Sequence, residues 1–183
     1  MTNLVDYALT AAPELLPPPS ASALAVPPRI AVAGVGSVGT SLLALLGTAL
    51  GVGGSGARLA VDLALIDNDG IDPGRNPFRY PALLGQETGL KTAYFADRLN
   101  IMGVRARSEP VTVAEWACRQ ERPGFDGLLI SSVDTLGGRL DVTDALARST
   151  LSLGVAGLEL HAQRERFADG FACTRHCPES WPA

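Results

Sequence analysis

Apolar residues occur along the chain in short runs, and polar or glycine-containing segments separate one run from the next. Five runs predict β-strands: IAVA at residues 30–33, RLAVDLALID ending at Asp67, VRARSEPVTV, FDGLLISSVD and LSLGVAGLEL. Between them, apolar residues recur at helical spacing from Ser37 to about Leu50 and in LKTAYFADRLNIMG, VAEWACRQER and TLGGRLDVTDALARS. Strands that alternate with helices predict an α/β fold, in which a Rossmann-like, mostly parallel sheet carries helices on both faces.

The first 28 residues differ from this pattern. A short helical spacing at Leu4, Tyr7 and Ala8 gives way to LLPPPSASALAVPP, whose prolines cannot continue a helix and favour an extended linker. We therefore expect an N-terminal arm over residues 1–28 and a single α/β domain over residues 29–183.

Composition narrows the possible classes of protein. A chain of 183 residues can bury a sizeable core, and its 46% apolar and 19% charged residues are typical of a soluble globular domain. The net charge of −4 and the lack of a long basic run do not indicate nucleic-acid binding. Three cysteines argue against a secreted disulfide framework. No signal peptide or membrane span is predicted, so we expect a cytoplasmic protein.

The sequence AGVGSVGT follows the first predicted strand and opens the first predicted helix. In this context Gly34 permits a tight turn, Gly36 lets a phosphate approach the backbone, and Gly39 allows the helix and strand to pack closely. The free N–H groups at the start of the helix attract an anion. The segment therefore predicts a phosphate-binding loop.

An acid at the carboxyl end of the second strand can accept hydrogen bonds from ribose hydroxyls, and Asp67 stands there. Both NAD and ATP contain such a ribose, so Asp67 does not distinguish a redox cofactor from a reagent that is consumed. The neighbouring Asp69 and Asp72 are also typical of turns, and the turn interpretation is favoured for Asp72.

Polar residues that could converge on a triphosphate follow the second strand: Asn76, Arg79 and Lys91, the last in the first turn of a predicted helix. The motifs GVGSVG, DND, NPFR and GLKT occur in an order that resembles the ThiF/MoeB/HesA superfamily, the adenylyltransferases related to ubiquitin-activating enzymes. Beyond the fourth strand, SSVDTLGGR is similar to the family's Thr-Asp-Asn segment and following arginine, which match at Asp134 and Arg139. The resemblance extends over about residues 29–177.

The resemblance implies a reaction in which a carboxylate attacks the α-phosphorus of ATP, giving an acyl-adenylate and pyrophosphate. Such chemistry needs positioning and charge neutralisation more than a protein nucleophile. The implied substrate is the C-terminal carboxylate of a peptide or of a ubiquitin-like carrier protein, and the implied assembly is a homodimer or heterodimer. The implied nucleotide-binding residues are Gly34, Gly36, Gly39, Asp67, Asn76, Arg79 and Lys91, and the implied catalytic residues are Arg79, Lys91 and Asp134, with Asp134 organising Mg²⁺.

Near the C-terminus, Cys173 and Cys177 with His176 between them resemble the first half of the family's structural zinc site, usually Cys-x-x-Cys. The spacing is one residue longer here, and the second cysteine pair is absent from the sequence. Zn²⁺ needs four ligands, for which His161 is a remote fourth candidate. Free thiols or a disulfide are the alternatives, and they are favoured because adjacent His176 and Cys177 are awkward to place on one ion. Cys118, in the apolar face of AEWACRQ, is predicted to be a small buried residue.

Three features depart from the family pattern. No arginine precedes Arg29, Tyr80 stands where glutamine usually follows the matched arginine, and the part of the family fold beyond the first zinc-ligand pair has no counterpart. We therefore expect an incomplete adenylation domain that dimerises, joins a partner subunit or has lost activity. Two alternatives remain open: a non-catalytic, peptide-binding partner subunit, and an NAD(P)-dependent oxidoreductase, which only the glycine loop and Asp67 support.

Overall fold

A computed structural model describes residues 29–50, 61–72, 89–120, 124–156 and 159–166. The predicted arm over residues 1–28 lies outside these ranges. In chain order the elements are β1 (Arg29–Ala33), α1 (Ser37–Leu50), β2 (Asp62–Ile66), α2 (Lys91–Ile101), β3 (Ala106–Glu109), α3 (Val113–Cys118), β4 (Leu128–Ser131), α4 (Leu136–Asp144), β5 (Ser149–Ala156) and β6 (Glu159–Arg166). None of the helices in the described part of the chain is long and apolar enough to cross a membrane.

The strands form one six-stranded sheet in the order β3-β2-β1-β4-β5-β6. All neighbours from β3 to β5 are parallel, whereas β5 and β6 are antiparallel. The prediction of an α/β, Rossmann-like, mostly parallel sheet is therefore confirmed.

Helices cover both faces of the sheet, as predicted. Leu43 of α1 and Phe95 and Leu99 of α2 pack in one core cluster, whereas Trp116 of α3 and Val142 of α4 belong to a second. Alternate residues of β1 supply the two clusters, with Ile30 and Val32 on one face and Ala31 and Ala33 on the other. A strand that is buried on both faces is continuously apolar, which explains why the sequence IAVA predicts β1 correctly.

Several element boundaries differ from the prediction, among them those of the fifth strand and the last helix. The apolar run LSLGVAGLEL predicted one strand, but β5 ends at Ala156 and a sixth strand begins at Glu159. That strand, ELHAQRER, is mostly polar, so hydrophobic patterning gives it little signal. In addition, α4 ends at Asp144 before its predicted end, and Leu146 has a φ of 47°, a left-handed conformation that cannot continue the helix.

The prediction that Cys118 is buried is wrong, because its side chain is exposed. In α3 the buried residues are Val113 and Trp116. Successive residues of an α-helix are rotated by about 100°, so a residue two positions after Trp116 points to nearly the opposite side. The indole of Trp116 takes the core-facing position and packs edge-on against Phe125.

A capping box begins α3. The Thr112 hydroxyl accepts from the backbone N–H of Glu115, and the Glu115 carboxylate accepts from the backbone N–H of Thr112 at 2.9 Å. The backbone hydrogen bond from Thr112 lowers the pKa of Glu115 below its ordinary value of 4.5. The cap thus favours the ionised carboxylate.

We expect this cap to weaken in acid. A carboxylate whose pKa is lowered by folding stabilises the folded state above its unfolded pKa, and this contribution is lost as pH falls through the folded pKa. Glu115→Ala should therefore lower the unfolding temperature at about pH 7, with a difference from the native protein that shrinks towards about pH 3. Thermal unfolding followed by circular dichroism measures this difference in unfolding temperature. Glu115→Gln, which keeps an acceptor oxygen without titrating, is the control, and a difference independent of pH would contradict the expectation.

Candidate functional site

At one point of the sheet, two adjacent strands are followed by helices on opposite faces. After β1 it enters α1, which packs on one face, and after β4 it enters α4, which packs on the other. Ligands of open α/β sheets bind at such a switch point, outside the carboxyl ends of the strands. A cleft of about 710 Å³ lies there, and residues that follow β1, β2, β3 and β4 line it.

The turn after β1 has the form that its glycines predict. Gly34 has a φ of +86°, and a Cβ on it would lie only 3.0 Å from the backbone carbon of Ser132. A Cβ on Gly39 would collide with the carbonyl oxygen of Gly34. By contrast, a Cβ on Gly36 would meet nothing within 4 Å, and Gly36 lines the cleft. Gly34 and Gly39 are therefore required for packing, whereas Gly36 leaves open space on the ligand side.

Ser132, which follows β4, supports this turn, and sequence analysis did not select it. Its hydroxyl donates to the carbonyl oxygen of Gly34 at 2.6 Å, and its backbone N–H donates to the carbonyl oxygen of Ala33 at 2.8 Å. Ser132 also lines the cleft. The available signal was a small hydroxyl residue directly after a buried strand, next to the position of the glycine turn.

Asp67 follows β2 and connects to the glycine turn. One oxygen of its carboxylate accepts from the backbone N–H of Val35 at 2.7 Å, and the other accepts from the backbone N–H of Asp69 at 2.8 Å. Each carboxylate oxygen has two lone pairs, so Asp67 retains capacity for further hydrogen bonds inside the cleft. Its role towards a ribose stays a prediction.

Lys91 begins α2, as predicted, and lines the cleft. The side chain is only 8% exposed, and Nζ lies 3.0 Å from Oδ2 of Asp69, whose side chain is 70% exposed. A buried ammonium needs a counter-charge, which Asp69 supplies. Lys91 is also the single lysine of a chain that contains fourteen arginines, a signal that sequence analysis did not use.

The segments on either side of residues 73–88 are held together beside Lys91. Gly70 and Leu90 form an antiparallel bridge, and the backbone N–H of Ile71 donates to the carbonyl oxygen of Gly89 at 2.7 Å. We call these contacts the clasp. The predicted phosphate-binding residues Asn76 and Arg79 belong to the segment that it closes, and they lie outside the described residues.

On the opposite side of the cleft, Asp134 and Arg139 lie in and after the loop that follows β4. Asp134 is exposed. Thr135 caps α4 by accepting from the backbone N–H of Gly138 at 3.2 Å, and Nε of Arg139 lies 3.5 Å from the carbonyl oxygen of Val133. Magnesium is usually held by one or two carboxylates together with substrate phosphates, and Asp134 fits that mode.

The structure thus brings together around one cleft the predicted residues that it describes. Gly39 packs behind the turn, and the residues that line the cleft are Gly34, Gly36, Asp67, Lys91, Asp134 and Arg139. Cys173, His176 and Cys177 lie outside the described ranges, so the zinc prediction stays a prediction. Within those ranges, no three His, Cys, Asp or Glu side chains form a group that could hold a metal ion.

Neither a family model nor a curated protein matches the sequence. Among solved structures, the chain is similar to the E. coli tRNA N6-threonylcarbamoyladenosine dehydratase TcdA, with a TM-score of 0.51 and 19% identity over 73% of this chain. It is also similar to E. coli MccB in a structure with succinimide, with a TM-score of 0.52 and 18% identity over 69% of this chain. Both neighbours belong to the ThiF/MoeB family. The chain shares their Rossmann-like fold.

The shared fold accounts for only part of each neighbour. The matched region covers 54% of the dehydratase and 37% of MccB. At these identities the similarity describes the fold alone. Function must therefore be argued from the side chains that line the cleft.

Proposed function

We propose that this protein is an ATP-dependent adenylyltransferase that activates a carboxylate as an acyl-adenylate. The observation that carries the proposal is the meeting, at one switch point, of an open glycine turn, the Asp67 carboxylate, the buried Lys91 ammonium and Asp134. A dinucleotide site would use the turn and Asp67 but has no need for a buried lysine across the cleft. The resemblance of the ordered motifs to the ThiF/MoeB/HesA superfamily supports the same reaction.

Each residue has a proposed task in this chemistry. The space over Gly36 admits the phosphates, and Asp67 accepts hydrogen bonds from the ribose. The substrate carboxylate forms a bond to the α-phosphorus while the bond to the bridging oxygen breaks, and pyrophosphate leaves with that electron pair. Lys91, with Arg79 from the segment that the clasp closes, stabilises the charge that builds up on the phosphates. Mg²⁺, held by Asp134, supplies further charge neutralisation.

The charge of the cleft supports a requirement for Mg²⁺. Its described lining contains four carboxylates (Asp67, Asp69, Asp134 and Asp141) and two cationic side chains (Lys91 and Arg139), which leaves an excess of negative charge. A triphosphate adds more negative charge to this site, so binding without a divalent cation is unfavourable. We expect ATP to bind with Mg²⁺ and only weakly when the cation is chelated.

The substrate and the assembly are further parts of the proposal. We expect the carboxylate to be the C-terminus of a peptide or of a ubiquitin-like carrier protein. We expect the protein to act in the cytoplasm as a homodimer or heterodimer. Sedimentation of the purified chain, alone and with candidate carrier proteins, measures the assembly.

Two measurements test the proposed reaction. Calorimetric titration compares ATP with Mg²⁺, ATP with a chelator, and NADH. Exchange of labelled pyrophosphate into ATP then reports adenylation in the presence of candidate carboxylates. Tight binding of NADH in place of ATP would favour an oxidoreductase. Binding of a carrier protein without ATP binding would instead favour a non-catalytic subunit.

The proposal predicts a specific defect for Asp134→Asn. Asn keeps the shape of the side chain but lacks the charge that Mg²⁺ prefers, so exchange should fall by about 100-fold or more. Because Asp134 is exposed, the unfolding temperature should stay close to that of the native protein. Asp126→Asn, an exposed acid on another loop, is the matched control. Undiminished exchange in Asp134→Asn would exclude Asp134 from the reaction.

A further inference from the structure

We propose that Asp69 is a positioning residue, which holds the Lys91 ammonium at the place where it meets the phosphates of a bound nucleotide. The inference rests on the proposed function and deepens it. It gives a task to Asp69, the second acid of the motif DND, which the proposed nucleotide contacts do not use. The Lys91 side chain is 8% exposed, whereas the Asp69 side chain is 70% exposed. The lysine is thus the member that depends on its partner for charge compensation.

A continuous path of hydrogen bonds connects the Lys91 ammonium to the glycine turn. The backbone N–H of Val35 donates to one oxygen of Asp67, the backbone N–H of Asp69 donates to the other, and Lys91 Nζ donates to Oδ2 of Asp69. Each step joins atoms 2.7–3.0 Å apart. Asp69 therefore fixes the cation relative to the same turn that would receive the phosphates. A lysine side chain has several rotatable bonds, and this contact selects among the positions open to its ammonium.

The backbone of Lys91 is held by contacts that do not use the Asp69 side chain. The hydroxyl of Ser108 donates to that of the buried Thr92 at 2.7 Å, which connects the first turn of α2 to β3. The clasp between Gly70 and Leu90 consists of backbone contacts. Loss of the Asp69 carboxylate should therefore loosen the hold on the Lys91 ammonium and leave the helix in place.

The sign of the effect on ATP binding separates positioning from simple electrostatics. If Asp69 acts only through electrostatic repulsion of the phosphates, removing its negative charge should strengthen ATP binding. If Asp69 orients Lys91, the same change weakens binding. Asp69→Asn is the informative variant, because the amide keeps the size of the side chain and loses the charge.

The experiment titrates ATP and Mg²⁺ into the native protein, Asp69→Asn, Lys91→Met and the double variant. We expect Asp69→Asn to weaken binding about tenfold and to have no further effect when Lys91 is already Met. Asp69→Glu, which retains the charge, should recover most of the affinity. Asp97→Asn, an exposed acid on α2 outside the cleft, controls for net charge and should alter affinity less than about twofold.

A second measurement needs no nucleotide. Lys91 carries the single lysine amine of the chain, so acylation by an amine-reactive reagent can be followed at one peptide by mass spectrometry. Its rate should rise in Asp69→Asn, because an amide oxygen holds the ammonium less strongly than a carboxylate, while Asp97→Asn should leave the rate unchanged. Circular dichroism verifies that each variant is folded.

The two measurements separate failure of the inference from failure of the proposed function. Stronger or unchanged ATP binding in Asp69→Asn, or a loss that adds fully to that of Lys91→Met, overturns the positioning role. If the native protein binds no ATP, the proposed function fails, and an unchanged acylation rate in Asp69→Asn then overturns the inference as well.

Discussion

Replacing Gly39 with alanine should destabilise the domain by about 3 kcal/mol or prevent folding. The added methyl group would collide with the carbonyl oxygen of Gly34 and lie 2.9 Å from Oγ of Ser132. The first of these atoms belongs to the backbone and cannot move away cheaply, because the Ser132 hydroxyl already holds it at 2.6 Å. The free energy of unfolding in urea measures the loss.

Gly36→Ala provides the matched control for this prediction. Its methyl group would meet nothing within 4 Å and would project into the space left for a ligand. The backbone there precedes α1, where alanine is a poorer cap than glycine, so a loss of under about 1 kcal/mol is expected. ATP binding should nevertheless weaken. Equal destabilisation by the two variants would contradict the different surroundings assigned to these glycines.

Lys91→Met should weaken ATP binding by about 100-fold with little loss of stability. Methionine retains an unbranched apolar side chain of similar length, so it fills the site that buries Lys91. Asp69 is left without its partner but is 70% exposed, so water can solvate its carboxylate. Removing one member of an ion pair is costly chiefly when the other charge stays buried, which is not the case for Asp69.

Calorimetry and urea unfolding measure these two effects separately. Arg98→Met is the control, since it removes a cation from the same helix at a position where the guanidinium stacks on Tyr94, outside the cleft. Its ATP affinity should change by less than about twofold. A parallel loss of stability and affinity in Lys91→Met would indicate that the lysine serves the fold and that its effect on ATP is indirect.

The parallel part of the sheet could be predicted because burial leaves a strong pattern. Residues 30–33 are buried on both faces and are all apolar, so β1 is visible without any knowledge of its neighbours. The same reasoning misses β6, whose polar sequence is stabilised by pairing with β5. It also misplaces Cys118, because a short helix gives too few turns to fix which side faces the core.

The candidate site was predictable where its residues follow a local motif. Gly34, Gly39 and Lys91 each occupy a position that neighbouring residues define. Ser132 was missed because its contact with Gly34 joins residues 98 positions apart, which no local pattern encodes. Asp69 was ambiguous for a similar reason, since an acid after a strand is common in turns. Only its contact with Lys91, 22 residues away, distinguishes a turn residue from a residue of the candidate site.

The clasp has a consequence for how such a protein can diversify. Because Gly70 pairs with Leu90 directly before Lys91, the two ends of the region between them are held together. The entropic cost of closing a loop changes only slowly with its length. Insertions and deletions between residues 73 and 88 can therefore accumulate without displacing the lysine. The proposed chemistry confines such changes to positions other than Asn76 and Arg79, whereas the lysine is held by contacts outside the region.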